Sequence, residues 1–484
     1  MKDINRKIGI GVLWNFAGLF MTRGASTLFT IFLARILAPD IFGLVAMATV
    51  VFELSNALVN SGLSQALIRS KSVTKADLST VFITNLVLSS LVYAALFFGA
   101  PFVAEFYSQP ELTNLIRVVG LIVFINATKV VQTAILSREM NFKAQMQANT
   151  TGVVVSGALA LYLAYTGWGV WSLAAQMLSS ALVSAIILWL ASSWRPALQF
   201  SMESLARLFG FGKNLVAEAF LQILFENSYV LVIGRFFSAE LTGLYFFAQK
   251  ITQLISRQLT YAVQQATFPA LSTLQDDNSA LRTKYSQILQ IMMIMIAPVM
   301  ALLAGLATPL FNILFDDQWH AAVPYVQLFC VVGAIYPLHA LNVNLLNVKG
   351  RSDLVLKVGL LKKAVSLSLL FLAIPYGVKG ILVGQIIGSL LALIPNTYFS
   401  KKLVDYSLAA QMLDAAKPIL VATVAGGVAF GVSSLLAAQP LLSLLCGGVA
   451  GVTMGVVLSI ALKIQGISYV VSRFKFLQPI RRFL

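Results

Sequence analysis

The stretch ARILAPDIFGL, from Ala34 to Leu44, is followed 200 residues later by a similar stretch, GRFFSAELTGL, from Gly234 to Leu244. In both copies an arginine and a later glycine flank a short break between two apolar runs. Six apolar runs separate the copies, so the copies share one orientation if each run crosses a membrane. The repeat therefore predicts two similar halves, built as parallel repeats.

The composition around these copies is that of a membrane protein. Hydrophobic residues make up 58% of the chain, charged residues 11%, and the mean hydropathy is +0.85. A soluble domain carries about a quarter charged residues, so this chain could not cover its own surface with polar groups. Apolar runs long enough to cross the hydrocarbon of a bilayer, about 20 residues each, recur throughout. We predict fourteen spans near residues 10–36, 41–67, 79–104, 113–136, 145–165, 169–192, 211–237, 241–270, 286–315, 322–346, 354–375, 377–400, 414–437 and 441–463.

The basic residues predict the orientation of these spans. With the N-terminus inside, 26 of the 34 Lys and Arg residues are cytoplasmic, four are outside and four lie within spans. This asymmetry favours cytoplasmic N- and C-termini, and it explains the net charge of +16 better than nucleic-acid binding does. We expect an all-α polytopic membrane protein with about 14 transmembrane helices. Its two six-helix lobes, 1–195 and 196–405, would surround a central cavity, followed by two additional spans at 406–465 and a basic amphipathic cytoplasmic tail at 466–484.

Polar side chains recur at helical spacing in the first two spans of each half. Residues four apart share one helix face, so each span can turn a polar side inward and an apolar side to lipid. Because ionisable groups inside a membrane are costly, they mark functional pathways. The stripes predict a water-filled cavity between the lobes, unless their acids and bases only pair to hold the bundle together. They include Arg23 in the first span, Glu53 and Asn60 in the second, Glu218, Gln222 and Glu226 in the seventh, and Lys250, Gln253, Arg257, Tyr261 and Gln264 in the eighth.

A further intramembrane cation is Lys129 in the fourth span. Its counterpart in the second half, 210 residues later, is His339. Lys129 could face the same cavity, whereas a single histidine is more typical of hydrogen-bonded helix packing.

Catalytic signatures are sparse. The two histidines have no metal-ligand spacing. The pairs Asp276-Asp277 and Asp316-Asp317 fall on opposite sides of the predicted membrane and cannot form one site, and Asp276-Asp277 is expected to begin the following helix. We therefore expect no enzyme, no metal site and no cofactor.

Three motifs resemble one family. They are LARILAPDIFG at Leu33–Gly43, FPALS at Phe268–Ser272 and GRSD at Gly350–Asp353. They are similar to motifs of bacterial polysaccharide exporters, the Wzx-type flippases of the multidrug/oligosaccharidyl-lipid/polysaccharide superfamily, and most of all to the colanic-acid and teichuronic-acid exporter branch. The resemblance covers nearly the whole chain. It implies translocation of undecaprenyl-pyrophosphate-linked oligosaccharide across the bacterial inner membrane for surface polysaccharide synthesis.

The resemblance also implies a cavity lined with cations. By position and type the candidates are Arg23, Lys129, Lys250 and Arg257. The remaining candidates for substrate binding are Asn60, Gln222, Gln253, Tyr261 and Gln264. Glu53, Glu218 and Glu226 are candidates for coupling transport to Na⁺ or H⁺, and which ion is coupled, if any, stays open.

Two other functions are compatible with parts of the sequence. A multidrug or small-molecule exporter of the same superfamily would share the architecture, but it would prefer an acidic cavity for cationic drugs. A membrane glycan polymerase or ligase would need a large outside loop, and every predicted outside loop is short. The partners expected for the flippase are the lipid-linked oligosaccharide, membrane lipids and, by resemblance only, a polysaccharide polymerase with its export machinery.

Overall fold

The computed structural model describes residues 2–60, 62–70 and 72–464, with the side chains there except those of 2–13, 15–17, 19, 60, 210–215 and 217. These ranges contain helices and turns and no strand. The chain divides into two compact units, Met1–Phe246 (unit 1) and Phe247–Leu484 (unit 2), and the division falls inside helix α11.

The helices follow one another with short connections. The first eleven are α1 (Lys2–Ala34), α2 (Pro39–Asn60), α3 (Leu63–Arg69), α4 (Lys75–Tyr107), α5 (Glu111–Val119), α6 (Leu121–Arg138), α7 (Phe142–Tyr165), α8 (Val170–Ala191), α9 (Met202–Glu226), α10 (Ser228–Phe236) and α11 (Ala239–Ser272). The remaining helices are α12 (Asn278–Gly305), α13 (Ala307–Leu314), α14 (Val323–Val348), α15 (Ser352–Ala373), α16 (Gly377–Val404), α17 (Leu408–Leu435) and α18 (Pro440–Ala461), with 3-10 turns at Asp317–Ala322 and Ile374–Tyr376.

The apolar helices confirm a multi-pass membrane protein. Ten helical stretches of the described chain are long and apolar enough to cross a membrane, and one of them, Ser352–Val404, contains both α15 and α16. Residues Phe20–Ala34 of α1 form a shorter apolar helix, and α1, the pair α9–α10 and α11 each coincide with a predicted span. The helices are therefore consistent with the fourteen predicted spans.

The predicted lobe boundaries rest on the sequence repeat rather than on compactness. Unit 1 contains α9, α10 and the first residues of α11, which the repeat assigns to the second half. The lobes at 1–195 and 196–405, the two additional spans at 406–465 and the central cavity stay predictions. The tail predicted at 466–484 lies outside the described residues.

The two copies of the repeated stretch form equivalent breaks. In the first copy α1 ends at Ala34 and α2 begins at Pro39, and in the second copy α10 ends at Phe236 and α11 begins at Ala239. The first turns of α2 and α11 then cross at Gly43 and Gly243. A Cβ on Gly43 would overlap the carbonyl oxygen of Ala239, and a Cβ on Gly243 would overlap the carbonyl oxygen of Pro39. Only glycine permits this reciprocal backbone contact.

The start of α9 is fixed to α4 inside unit 1. The Thr74 hydroxyl and the Asp77 carboxylate form a capping box at the N-terminus of α4. The same carboxylate accepts a hydrogen bond from Arg207 of α9 at 2.5 Å, and the Ser201 N–H donates to the Thr80 hydroxyl at 3.0 Å. These charge-assisted and backbone hydrogen bonds set the direction in which α9 leaves the connection from α8.

In unit 2 a carboxylate joins α17 to α12. Asp414 accepts hydrogen bonds from Ser286 (2.7 Å), Gln290 (2.9 Å) and Tyr406 (2.7 Å). Tyr406 lies in the connection between α16 and α17, where burial and the adjacent carboxylate raise the pKa of its hydroxyl, so that it keeps the proton that it donates. Three donors converge on Asp414, which ties α17 to α12 and to the connection that precedes α17.

We expect Asp414→Ala to destabilise the protein by about 3 kcal/mol, since three donors lose their acceptor at a cost of roughly 1 kcal/mol each. The matched control is Asp405→Asn, which weakens only the exposed pair of Asp405 with Arg282, at 2.8 Å, and should cost less than about 1 kcal/mol. Thermal unfolding in detergent measures both. Equal unfolding midpoints for the two variants would show that the Asp414 contacts do not hold α17 in place.

Candidate functional site

A cavity of about 550 Å³ opens inside unit 1 among α1, α6, α7 and α8. Its wall combines apolar residues such as Ile122 and Met177 with a set of polar side chains. Those polar side chains are Thr22, Arg23, Asn126, Lys129, Gln145, Asn149, Ser180 and Ser184, with Trp14 and Phe142 as aromatic neighbours. The volume lies within the range of about 300–1,000 Å³ that is typical of small-molecule sites.

Arg23 and Lys129 are the two cations among the described residues of this wall. The sequence predicted both as cavity residues, and the structure brings them to one cavity although 106 positions separate them. Neither side chain has a hydrogen-bond or ion-pair partner among the described residues, and no described residue of the wall is a carboxylate. A charge inside a membrane protein is normally compensated by a partner, so this pair is suited to an anionic ligand.

The counterpart of Lys129 in the second half has a different role. His339 lies buried in unit 2, where its Nδ1 accepts a hydrogen bond from Asn396 at 2.8 Å and its Nε2 lies 2.9 Å from the Ser389 hydroxyl. Both ring nitrogens are therefore occupied by helix packing. The two halves have diverged at this position, since Lys129 lines the unit 1 cavity whereas the ring nitrogens of His339 bond to the neighbouring helix α16.

The predicted ion-coupling residues lie elsewhere in unit 1. Glu53 of α2 accepts a hydrogen bond from Asn227 at 2.8 Å, and Glu226 of α9 accepts one from Gln222 at 2.6 Å. Glu218 is exposed on α9, one turn before Gln222. None of these five residues lines the cavity that contains Arg23 and Lys129.

The remaining candidates lie mostly on α11, in unit 2. Lys250 and Arg257 are exposed, and the Arg257 guanidinium carbon lies 5.8 Å from the centre of the Tyr336 ring. Gln264 donates to the carbonyl oxygen of Ala340 at 2.7 Å, so its amide serves helix packing. The hydroxyl of Tyr261 accepts a hydrogen bond from Gln265, and Gln253 is half-buried, while the side chain of Asn60 lies outside the described residues.

Sequence reasoning missed three amides of the cavity wall, Asn126, Gln145 and Asn149. Asn126 precedes Lys129 by three residues, and Gln145 precedes Asn149 by four, so each pair shares a helix face. Their spacing was the available signal. Within the described residues, no group of three or more His, Cys, Asp and Glu could hold a metal ion.

Solved structures establish the fold class. The chain is similar to a structure of the lipid II flippase MurJ in an inward closed conformation, with a TM-score of 0.74 and 12% identity over 94% of this chain and 98% of that chain. It is also similar to an inward-facing multidrug resistance MATE family transporter of the MOP superfamily, with a TM-score of 0.60 and 17% identity over 81% and 98% of the two chains. At these identities the likeness shows the fold alone.

Sequence relatives are more informative about the family. The chain is 26% identical over 408 residues to the lipopolysaccharide biosynthesis protein WzxC of Escherichia coli (82% of this chain, 81% of the relative). It is 28% identical over 334 residues to the succinoglycan biosynthesis transport protein ExoT of Rhizobium meliloti (68% and 66%). It is 26% identical over 392 residues to the teichuronic acid biosynthesis protein TuaB of Bacillus subtilis (78% of each).

The family model described as polysaccharide biosynthesis protein matches residues 32–324. This range covers more than half of the chain and includes the repeated stretches, Lys129 and the α11 cations. It confirms the resemblance that the three motifs indicated. This chain belongs to the polysaccharide biosynthesis protein family.

Proposed function

We propose that this protein is a flippase that moves undecaprenyl-pyrophosphate-linked oligosaccharide repeat units across the bacterial inner membrane by alternating access. Family membership and relatives that serve polysaccharide biosynthesis support the substrate class. The positive-inside distribution of Lys and Arg supports cytoplasmic N- and C-termini. The product would be delivered to the outer leaflet for assembly of a surface polysaccharide, with a polymerase and export machinery as partners.

The observation that carries this proposal is the pair of cations in the unit 1 cavity, Arg23 and Lys129, for which the described residues supply no partner. A pyrophosphate offers several oxygen acceptors and a negative charge, and both Arg and Lys bind such groups by charge-assisted hydrogen bonds. Arg23 and Lys129 have no described carboxylate beside them that would compete for these bonds. The prenyl tail can remain in lipid while the headgroup is held.

A multidrug exporter is the alternative with the same fold. The structural likeness to a MATE transporter is compatible with it. However, a cationic drug would meet two positive charges and no described carboxylate in the unit 1 cavity, and this arrangement repels it. The cavity therefore favours an anionic substrate. Glu53, Glu218 and Glu226 remain the candidates for coupling to Na⁺ or H⁺.

The cations of α11 should serve the same substrate. We expect the double variant Lys250→Ala/Arg257→Ala to lose export by more than about 100-fold, since each charge-assisted hydrogen bond to a phosphate contributes about 1.5–3 kcal/mol. The amount of folded protein in the membrane should change little. Lys401→Ala/Lys402→Ala, at the exposed end of α16, removes the same charge and is the control. If the Lys250→Ala/Arg257→Ala variant exported as well as wild type, the cations of α11 would not contact the substrate.

The proposal is tested with purified protein in proteoliposomes. A fluorescent undecaprenyl-pyrophosphate oligosaccharide is incorporated, and a membrane-impermeant quencher reports the fraction in the outer leaflet over time. Protein-containing vesicles should show faster exchange between leaflets than vesicles with the Arg23→Gln/Lys129→Met variant. Equal rates in both, and in protein-free vesicles, would contradict the flippase assignment.

A further inference from the structure

Two amides on the wall of the unit 1 cavity are held so that they offer acceptors. Asn126 uses its amide nitrogen to donate to the carbonyl oxygen of Asn56 at 3.1 Å. Gln145 uses its amide nitrogen to donate to the Ser137 hydroxyl at 3.0 Å. Each amide carbonyl oxygen has no described donor, and both residues line the cavity. Two hydrogen-bond acceptors are therefore available to a ligand, together with the second N–H of each amide.

The third amide, that of Asn149, has its carbonyl oxygen bonded and its N–H groups available. The carbonyl oxygen of Asn149 accepts a hydrogen bond from the Ser184 hydroxyl at 3.2 Å. Its amide nitrogen has no described acceptor, so both of its N–H groups are available. Ser184 is a buried residue of α8 on the cavity wall, and its hydroxyl fixes the orientation of the Asn149 amide. The three amides thus present both acceptors and donors.

This mixture does not match a pyrophosphate alone. A pyrophosphate has only acceptors at its ionised oxygens, so the carbonyl oxygens of Asn126 and Gln145 would face them without a hydrogen bond. A buried acceptor left without a donor is unfavourable. A sugar hydroxyl both donates and accepts, and a ring carries several of them. The amides therefore fit a sugar, and the two cations fit the phosphate that precedes it.

We propose that Asn126, Gln145 and Asn149 form a subsite for the sugar nearest the pyrophosphate, with the first two accepting from its hydroxyls and Asn149 donating to it. This inference rests on the proposed function, because it assumes that Arg23 and Lys129 hold the pyrophosphate of the same ligand. The subsite determines how strongly the protein distinguishes a loaded carrier lipid from an unloaded one. Such discrimination is useful to a flippase, since unloaded undecaprenyl pyrophosphate is not a polysaccharide precursor.

The test compares two probes that differ only in the sugar. Undecaprenyl pyrophosphate and undecaprenyl pyrophosphate bearing a single N-acetylhexosamine are titrated against the full-length protein in nanodiscs. The variant Gln145→Met/Asn149→Leu keeps the side-chain volumes and removes their hydrogen-bonding groups. Gln147→Met, on an exposed face of α7 and not in the cavity wall, is the matched control.

We expect wild-type protein to bind the sugar-bearing probe more tightly. The double variant should lose about 10- to 100-fold of that affinity, since a hydrogen bond contributes about 0.5–1.5 kcal/mol and two side chains are altered. Its affinity for undecaprenyl pyrophosphate should stay within about twofold of wild type, and Gln147→Met should bind both probes as wild type does.

Two results would overturn the inference while leaving the flippase proposal intact. One is an equal loss of affinity for both probes, which would place the amides against the pyrophosphate. The other is an unchanged affinity of the double variant for the sugar-bearing probe. If wild-type protein bound neither probe, the proposed function itself would fail and the subsite with it.

Discussion

Arg23→Gln/Lys129→Met is expected to reduce export of lipid-linked oligosaccharide by about two orders of magnitude, because each lost charge-assisted hydrogen bond contributes at least about 1.5 kcal/mol. The measurement is the amount of surface polysaccharide restored by each variant in a strain that lacks the wild-type gene. Both single variants should fall between wild type and the double variant. The loss should follow from weaker binding of the pyrophosphate, since the substituted residues retain most of the side-chain volume.

The fold should tolerate this loss of charge. Neither Arg23 nor Lys129 has a described partner, so their removal leaves no described carboxylate unpaired. An unpaired charge inside a membrane protein lowers its stability, so losing the two charges should not destabilise the fold. Arg117→Gln is the control, because Arg117 donates to the Phe97 carbonyl at 3.2 Å and lies against the Phe97 ring, away from the cavity. An Arg23→Gln/Lys129→Met protein that exports normally would show that the cavity cations do not meet the substrate.

Gly43→Ala and Gly243→Ala are each expected to destabilise the protein by about 3 kcal/mol, which is the upper end of the usual cost of overpacking a core. The cost is high because the added methyl meets backbone atoms rather than a movable side chain. The backbones of α2 and α11 must separate to admit a single Cβ. Thermal unfolding in detergent and export in the deletion strain measure the two consequences. Since the crossing joins equivalent positions of the two repeats, we expect export to fall as well.

Because the two glycine contacts are reciprocal, the stability of the double variant Gly43→Ala/Gly243→Ala gives a second test. Once the first methyl has separated the helices, the second meets more room, so the double variant should cost clearly less than the two single variants together. Gly99→Ala is the matched control, since a Cβ at this helical glycine meets nothing within 4 Å and alanine favours helix by about 1 kcal/mol. Strictly additive costs, or an effect of Gly99→Ala equal to that of Gly43→Ala, would contradict the described crossing.

Much of the fold could be predicted because the decisive features are local. The break after Ala34 and its copy before Ala239 lie where the repeat placed them. Asp277 caps α12 through its carboxylate, as the pair Asp276-Asp277 indicated. These outcomes depend on chain geometry within a few residues, which the sequence carries directly.

Less of the candidate site could be predicted, because it depends on which helix faces meet. Helical spacing identified Arg23 and Lys129 as intramembrane cations, but spacing alone could not tell that α1 and α6 share a cavity with α7 and α8. It also could not distinguish Lys129, which has no described partner, from His339, which is bonded on both ring nitrogens. The partners of a polar side chain are set by tertiary packing rather than by its own helix.

Chromosomal deletion followed by analysis of lipid-linked intermediates tests the central claim most directly. We expect undecaprenyl-linked repeat units to accumulate on the cytoplasmic leaflet and surface polysaccharide to be lost. Wild-type protein should reverse both effects, whereas the Arg23→Gln/Lys129→Met variant should reverse neither. The mass of the accumulated intermediate would also identify the glycan. Unchanged lipid-linked intermediates with altered sensitivity to drugs or metabolites would contradict the account and indicate small-molecule efflux instead.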